Sequence, residues 1–263
     1  MSVTNLGTFG GTEVKQALLE SDTSSVSILS YGAITKSWRV KAGSGTVPIL
    51  LGFNTLEAYQ ADKSFMGIIA GRVANRTKNG RCIINGLEYS FALNDYPHHL
   101  HGGECGFGKR HWNLDLDSQS CAVQLRRVSA HLEEGYPGTV DVTVQITLFE
   151  NTLTYEMIAI PDRPTPINLA QHNYYNLMGT GSIWDHEIES VANNYTPTTD
   201  DLIPTGEVVP LETKMIDGAA THWDLSEPKA FGCLDPTRSG IDINLVLPSQ
   251  VNPSVSAVKV TAK

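Results

Sequence analysis

Alternation of apolar and polar positions dominates this chain. From Val140, the side chains of Val140, Val142, Val144, Ile146 and Leu148 alternate with Asp141, Thr143, Gln145 and Thr147. A two-residue period puts the apolar set on one face, which predicts a half-buried strand. Glu150-Asn151-Thr152 reads as a turn, and Leu153, Tyr155 and Met157 begin a return strand. A second hairpin is predicted around Asn85-Gly86, with Cys82-Ile83-Ile84 before it and Tyr89, Phe91 and Leu93 alternating after it. Asn-Gly accepts the positive φ angles of a type I′ turn. Val26 to Leu29 predicts a further strand. Helical spacing is confined to Thr55–Ala61, with Thr55 as cap and Leu56 and Tyr59 on one face. No repeat, low-complexity tract or composition shift marks a linker. The pattern predicts one all-β domain over residues 1–263, with many antiparallel strands and long loops.

Composition narrows the functional classes. The chain has 263 residues, of which 41% are hydrophobic and 18% charged, enough for a core and against a disordered chain. Asp and Glu number 28 against 19 Lys and Arg, a formal charge of -9, with no basic cluster. Nucleic acid and anionic membrane surfaces need Lys and Arg, so neither is expected as a partner. Cys82, Cys105, Cys121 and Cys233 form no CxxC pair and are expected to be free, buried thiols. The N-terminus carries no basic segment followed by an apolar one, and no apolar run reaches membrane-span length. A cytoplasmic setting is therefore expected.

Four segments could carry chemistry. Histidines crowd into Pro97-His98-His99-Leu100-His101-Gly102-Gly103, where the glycines let backbone approach a ligand closely. His99 and His101 on one face of an extended chain could be half of a metal site, as in a cupin-like barrel. A ligand-binding histidine and a merely His-rich surface loop are the other readings. In Thr165 to Leu177, an extended chain would put Asn168, Ala170, His172, Tyr174 and Asn176 on one face, which suits a polar cleft or a solvated sheet face. Gly71-Arg72-Val73-Ala74-Asn75-Arg76 offers several donors for hydroxyl groups, or simply surface arginines. Asp242 lies between apolar residues in Gly240 to Leu247, where a carboxylate needs partners.

Taken together and in order, these segments resemble the aldose 1-epimerase (galactose mutarotase) family. Gly71 to Arg76 matches its GRVANR stretch. Leu100-His101-Gly102-Gly103, with Gly106-Phe107, Lys109 and Trp112, matches its LHGG…GF.K…W stretch. Thr165 to Leu177 matches T-P-x-N-L-x-x-H-x-Y-x-N-L, Asp201 to Glu207 matches D-x-x-I-P-T-G-E, and Gly240-Ile241-Asp242 stands where the family has Gly-aromatic-Asp. The resemblance implies a galactose-mutarotase-like antiparallel β-sandwich (supersandwich). It implies interconversion of the α and β anomers of hexoses such as galactose and glucose by acid and base groups. It implies His172 as general acid with His101 beside it, and Asn75, Arg76, Arg72, Asn173, Tyr174 and Asp242 on sugar hydroxyls. No cofactor or metal is implied, and a small hexose is the implied partner of a monomer or homodimer.

Two departures accompany the match. The family's general base is a glutamate on a strand after the Asp242 region. Val255 to Thr261 reads as the strand just after that motif, so the base and the closing strands are expected to be missing. A catalytically impaired, sugar-binding paralogue or fragment is the alternative this raises. Ile243 also follows Asp242 where family members often carry His.

Overall fold

The alternating segments fold as strands. In the computed structural model, which describes residues 1–211, 215–216, 219–220, 223–250, 252 and 254–262, two compact units divide the chain at residues 179 and 180. The first unit opens with β1 (Ser2–Phe9), β2 (Thr12–Glu20), β3 (Ser24–Leu29), β4 (Thr35–Ala42) and β5 (Gly45–Pro48), which form one antiparallel meander in chain order. The helix α1 (Leu56–Ala61) follows, and the Thr55 hydroxyl accepts the Ala58 N–H at 3.3 Å as the cap motif predicts. Next come β6 (Ile69–Ala70), β7 (Arg76–Thr77), β8 (Arg81–Ile84), β9 (Leu87–Ser90) and β10 (His99–Leu100). The hairpin β8–β9 turns on Asn85 and Gly86, whose φ angles of 51° and 79° fulfil the type I′ expectation.

A second sheet is built from β11 (Asn113–Asp117), β12 (Ala122–Ser129), β13 (Val140–Phe149) and β14 (Thr152–Pro161), again antiparallel and in chain order. In β13 the five apolar residues of the alternation are all buried. They meet Ala17, Leu19, Val26 and Ile28 of the first sheet in a shared core with Phe107, Trp112 and Leu125. Two sheets packed face to face through such a cluster make a sandwich. Each Val, Leu or Ile removed from water there contributes about 1.5–3 kcal/mol.

After β14 only β15 (Ala170–Gln171) is strand in the stretch that contains His172. It pairs with β6, and β7 pairs with β10. These two short ladders hang from the sandwich and carry most of the singled-out residues.

The second unit contains β16 (Glu187–Ser190), β17 (Asn194–Thr196), β18 (Val209–Pro210), β19 (Met215–Ile216), β20 (Ala219–Ala220), β21 (Lys229–Ala230), α2 (Phe231–Leu234), β22 (Asn244–Val246) and β23 (Val258–Thr261). The strand expected near Val255 to Thr261 is β23, which pairs with β16. Its small core gathers Leu211, Trp223, Leu225 and Leu234, with Ile241, Ile243 and Leu245 packed against it.

One expectation needs correction. All four cysteines are free, but none is buried: Cys82 and Cys121 are half-buried and Cys105 and Cys233 exposed. Cys105 sits on a loop and Cys233 on the short helix α2. Among the described residues no helix is long and apolar enough to cross a membrane.

Candidate active site

The segment from Ile68 to Arg76 is the spine on which two histidines meet. On one side, β15 pairs with β6, and the next residue, His172, continues the contact. Its N–H donates to the Ile68 carbonyl at 2.9 Å, and its carbonyl accepts the Gly67 N–H at 3.0 Å. On the other side, Leu100 lies opposite Arg76 in the β7–β10 ladder, and His101 follows it. The His101 N–H donates to the Asn75 carbonyl at 3.2 Å. The two imidazoles thereby come together edge to face, with ring centroids 5.0 Å apart and planes at 87°.

Glycines make this approach possible. A side-chain carbon at Gly102 would lie 1.6 Å from the Gly71 carbonyl oxygen, so only glycine fits. The Gly-Arg and His-Gly-Gly motifs are thus two halves of one backbone contact.

The proton position on His101 follows from its partner. Its Nδ1 accepts the backbone N–H of Asn75 at 3.0 Å, so Nδ1 is unprotonated and the neutral ring carries its hydrogen on Nε2. Burial pushes its pKa down to about 4, assisted by His172, Arg76 and His99 and opposed by the Asp95 carboxylate. At neutral pH His101 is therefore a fixed hydrogen-bond donor. The sign for stability follows. An unfolded histidine takes up its proton near pH 6.5, the folded one only near 4. Stability is thus complete above pH 6.5 and drains as pH falls toward 4, by at most ~3 kcal/mol. His99 is also pushed down by burial and adds in the same direction. In chemical denaturation between pH 6.5 and 4.5, His101→Gln should show a shallower loss of stability than the unmodified chain. Equal pH slopes would show that His101 is not the group responsible.

The remaining residues divide by position. Asn75 is exposed, at a φ of 65°, and its side-chain oxygen accepts the Arg76 N–H at 2.7 Å. Arg76 donates through Nε to Asp95 Oδ2 at 2.7 Å. Tyr174 has its ring centroid 5.3 Å from that of His172, and its hydroxyl donates to the Ser64 carbonyl at 2.7 Å. Asn75, Arg76, His101, His172 and Tyr174 therefore belong to one neighbourhood.

Two expected residues are placed otherwise. Arg72 is only 2% exposed. Its guanidinium donates to Ser129 Oγ, to the carbonyls of Ser129, Ala130 and Pro137, and to Thr165 Oγ1. With its donors spent on protein, Arg72 braces the loop and does not offer hydrogen bonds to a sugar. Asn173 donates through Nδ2 to the hydroxyls of Tyr155 and Tyr175, each at 3.0 Å, so its amide donors are taken by protein. Asp242, read as a carboxylate among apolar neighbours, belongs to the second unit, where it is exposed and precedes β22. Its neighbours Ile241 and Ile243 line an apolar cavity of about 490 Å³ within the second unit, with Trp184, Trp223 and Phe231.

The metal reading of His99-x-His101 fails on geometry. His99 is fully buried, with Nδ1 2.6 Å from the Ala92 carbonyl and Nε2 2.5 Å from the Tyr136 hydroxyl. A carbonyl only accepts, so Nδ1 carries the hydrogen and Nε2 accepts from Tyr136. Neither nitrogen remains to bind an ion.

Two contributors were not visible in the sequence. Phe65 lies with its ring centroid 4.6 Å from His101 and 6.0 Å from His172, capping the pair. The Asp62 carboxylate shapes that loop by accepting the N–H groups of Ser64 and Met66 at 2.8 and 2.7 Å. Asp95, the partner of Arg76, is the other. Neither lies in a periodic pattern or in a motif singled out from the sequence.

Comparison with known proteins places the chain in a family. The family model described as aldose 1-epimerase matches residues 15–261. A galactose mutarotase from Pongo abelii is 38% identical over 243 residues, covering 90% of this chain and 68% of that protein. One from Rattus norvegicus is 39% identical, covering 85% of this chain and 64% of that protein. The chain thus spans about two thirds of the length of these curated relatives. A galactose 1-epimerase structure from Lactobacillus acidophilus superposes with a TM-score of 0.84 at 24% identity, covering 99% of this chain and 76% of that one, which shows a common fold. An aldose epimerase homologue from C. elegans gives a TM-score of 0.83 at 25% identity, covering 94% of this chain and 76% of that one. The all-β antiparallel sandwich is therefore of the galactose mutarotase type, and the chain belongs to the aldose 1-epimerase family.

Proposed function

We propose that this chain interconverts the α and β anomers of hexoses such as galactose and glucose, with His172 as the general acid. The observation that carries this reading is the His101–His172 pair, 5.0 Å apart between centroids, in which the proton position on His101 is fixed. Mutarotation passes the proton of the C1 hydroxyl to a base, for which solvent water can serve, and delivers one from the acid to the ring oxygen O5. The C1–O5 bond opens to the free aldehyde, C1 rotates, and the ring closes with the proton transfers reversed. A group that delivers and then retrieves a proton must change charge readily near neutrality, as an imidazole does. His101 is held neutral and supplies a directed N–H from Nε2. That division of labour leaves the proton transfer to His172.

Asn75, Arg76 and Tyr174 surround the pair and supply polar groups for sugar hydroxyls. Relatives named galactose mutarotase support galactose as substrate, and the E. coli relative named aldose 1-epimerase supports a broader set of aldoses. The family match, which runs through both compact units, supports reading them as one domain in the evolutionary sense. A cytoplasmic setting fits a hexose substrate.

Polarimetry or a coupled-enzyme assay on freshly dissolved α-D-galactose tests the proposal. Acceleration above the buffer rate is expected. A folded protein, verified by circular dichroism, that leaves the rate at the buffer value would refute it.

A further inference from the structure

We propose that Asp95 is a positioning residue that aims the Arg76 guanidinium at a sugar hydroxyl; the idea rests on the mutarotase reading above. The Arg76 side chain is 17% exposed and meets Asp95 through Nε alone, at 2.7 Å. A guanidinium is planar, so a bond at Nε fixes the plane and the direction of both η nitrogens. Among the described residues no acceptor takes those η nitrogens. They are donors held in place and left available.

Asp95 is itself held against the strand that leads to His101. Its N–H donates to the His98 carbonyl at 3.2 Å, and the His98 N–H donates back to the Asp95 carbonyl at 2.7 Å. The neighbouring Asn94 side chain brackets Leu100, accepting its N–H and donating to its carbonyl, each at 2.9 Å. Leu100 is directly opposite Arg76 in the β7–β10 ladder. The carboxylate, the guanidinium and His101 therefore share one small frame. Electrostatics agrees: Arg76 and Asp95 act on the His101 imidazole with opposite signs, so both charges lie within reach of it. The carboxylate side chain is 38% exposed, and an ion pair this open contributes little to fold stability. Its consequence is orientation.

The test is a double-mutant cycle on the intact chain, using Asp95→Asn, Arg76→Ala and both together, with α-D-galactose as substrate. Asp95→Asn should raise KM by about tenfold with kcat nearly unchanged, since a contact shared by ground and transition states is weakened. The double variant should be no worse than Arg76→Ala, because Asp95 acts through Arg76. The Arg76 Nε–H resonance in a 15N-correlated spectrum should also move or broaden in Asp95→Asn. Independent, multiplying effects of the two substitutions would overturn the inference while leaving the mutarotase reading intact. So would a lowered melting temperature with KM unchanged. An unmodified chain that fails to accelerate mutarotation would overturn the underlying reading and this inference with it.

Discussion

Replacing His172 by alanine should lower the rate of anomer interconversion by about 10²–10⁴-fold, the typical contribution of one positioned acid–base group. The fold should survive, because His172 is tied into the structure by its backbone. Its N–H and carbonyl bonds to Ile68 and Gly67 do not involve the imidazole. His101 cannot take over the proton transfer. Its Nδ1 already accepts the Asn75 N–H, and a second proton there would set N–H against N–H. Burial also holds its pKa down, at about 4, so the protonated ring is disfavoured near neutrality. Loss of activity with an unchanged circular dichroism spectrum is the expected pair of results. A variant as active as the parent would remove His172 from the mechanism and leave the assignment of the acid open to another group.

Replacing Gly102 by alanine should damage both stability and activity. The added carbon would sit 1.6 Å from the Gly71 oxygen, 2.2 Å from the Gly71 carbonyl carbon and 2.7 Å from the Arg72 nitrogen. All three are backbone atoms, so no side chain can swing aside. Either the loop before Phe107 or the Gly71–Arg72 segment must retreat, and each carries part of the site. The φ of 91° at Gly102 adds strain for any other residue. A cost of about 3–5 kcal/mol is expected, in the range of severe overpacking and strain. Gly86→Ala is the natural control. Gly86 also has positive φ, at 79°, but nothing lies within 4 Å of an added carbon there. It should cost only about 1 kcal/mol, from backbone conformation alone. Urea denaturation of the two variants would compare them directly, and similar losses for both would contradict the steric argument.

What was legible in the sequence follows from the range of the interactions involved. β13 and its return strand, the Asn85-Gly86 hairpin and the Thr55 cap all depend on neighbours within a few residues. Periodicity and turn chemistry encode them locally, and they are found where expected. Within Thr165 to Leu177 the simple alternation was too generous: only Ala170–Gln171 is strand, and Asn168 is exposed. The pairing of His101 with His172 spans 71 positions along the chain and came from the resemblance, not from any local pattern. Arg72 was misread because a buried guanidinium and a ligand-binding one look alike in sequence. Only the tertiary partners, the Ser129, Ala130 and Pro137 carbonyls, separate them. His99 was ambiguous for the same reason. Phe65 could not be read at all, since its contact with both imidazoles depends on a loop bent by the Asp62 carboxylate.

The ladders that carry the two histidines are each two residue pairs long, whereas β13 and β14 are joined over ten. Cooperative units of such unequal size open at unequal free energies. Under rising urea or mild heat, the imidazoles should part while the sandwich beneath them still stands. Inactivation would then precede the loss of β-sheet signal, and amide hydrogens of residues 76–77 and 170–171 would exchange well before those of 140–149. A bound sugar, by bridging the ladders, would draw the two transitions together.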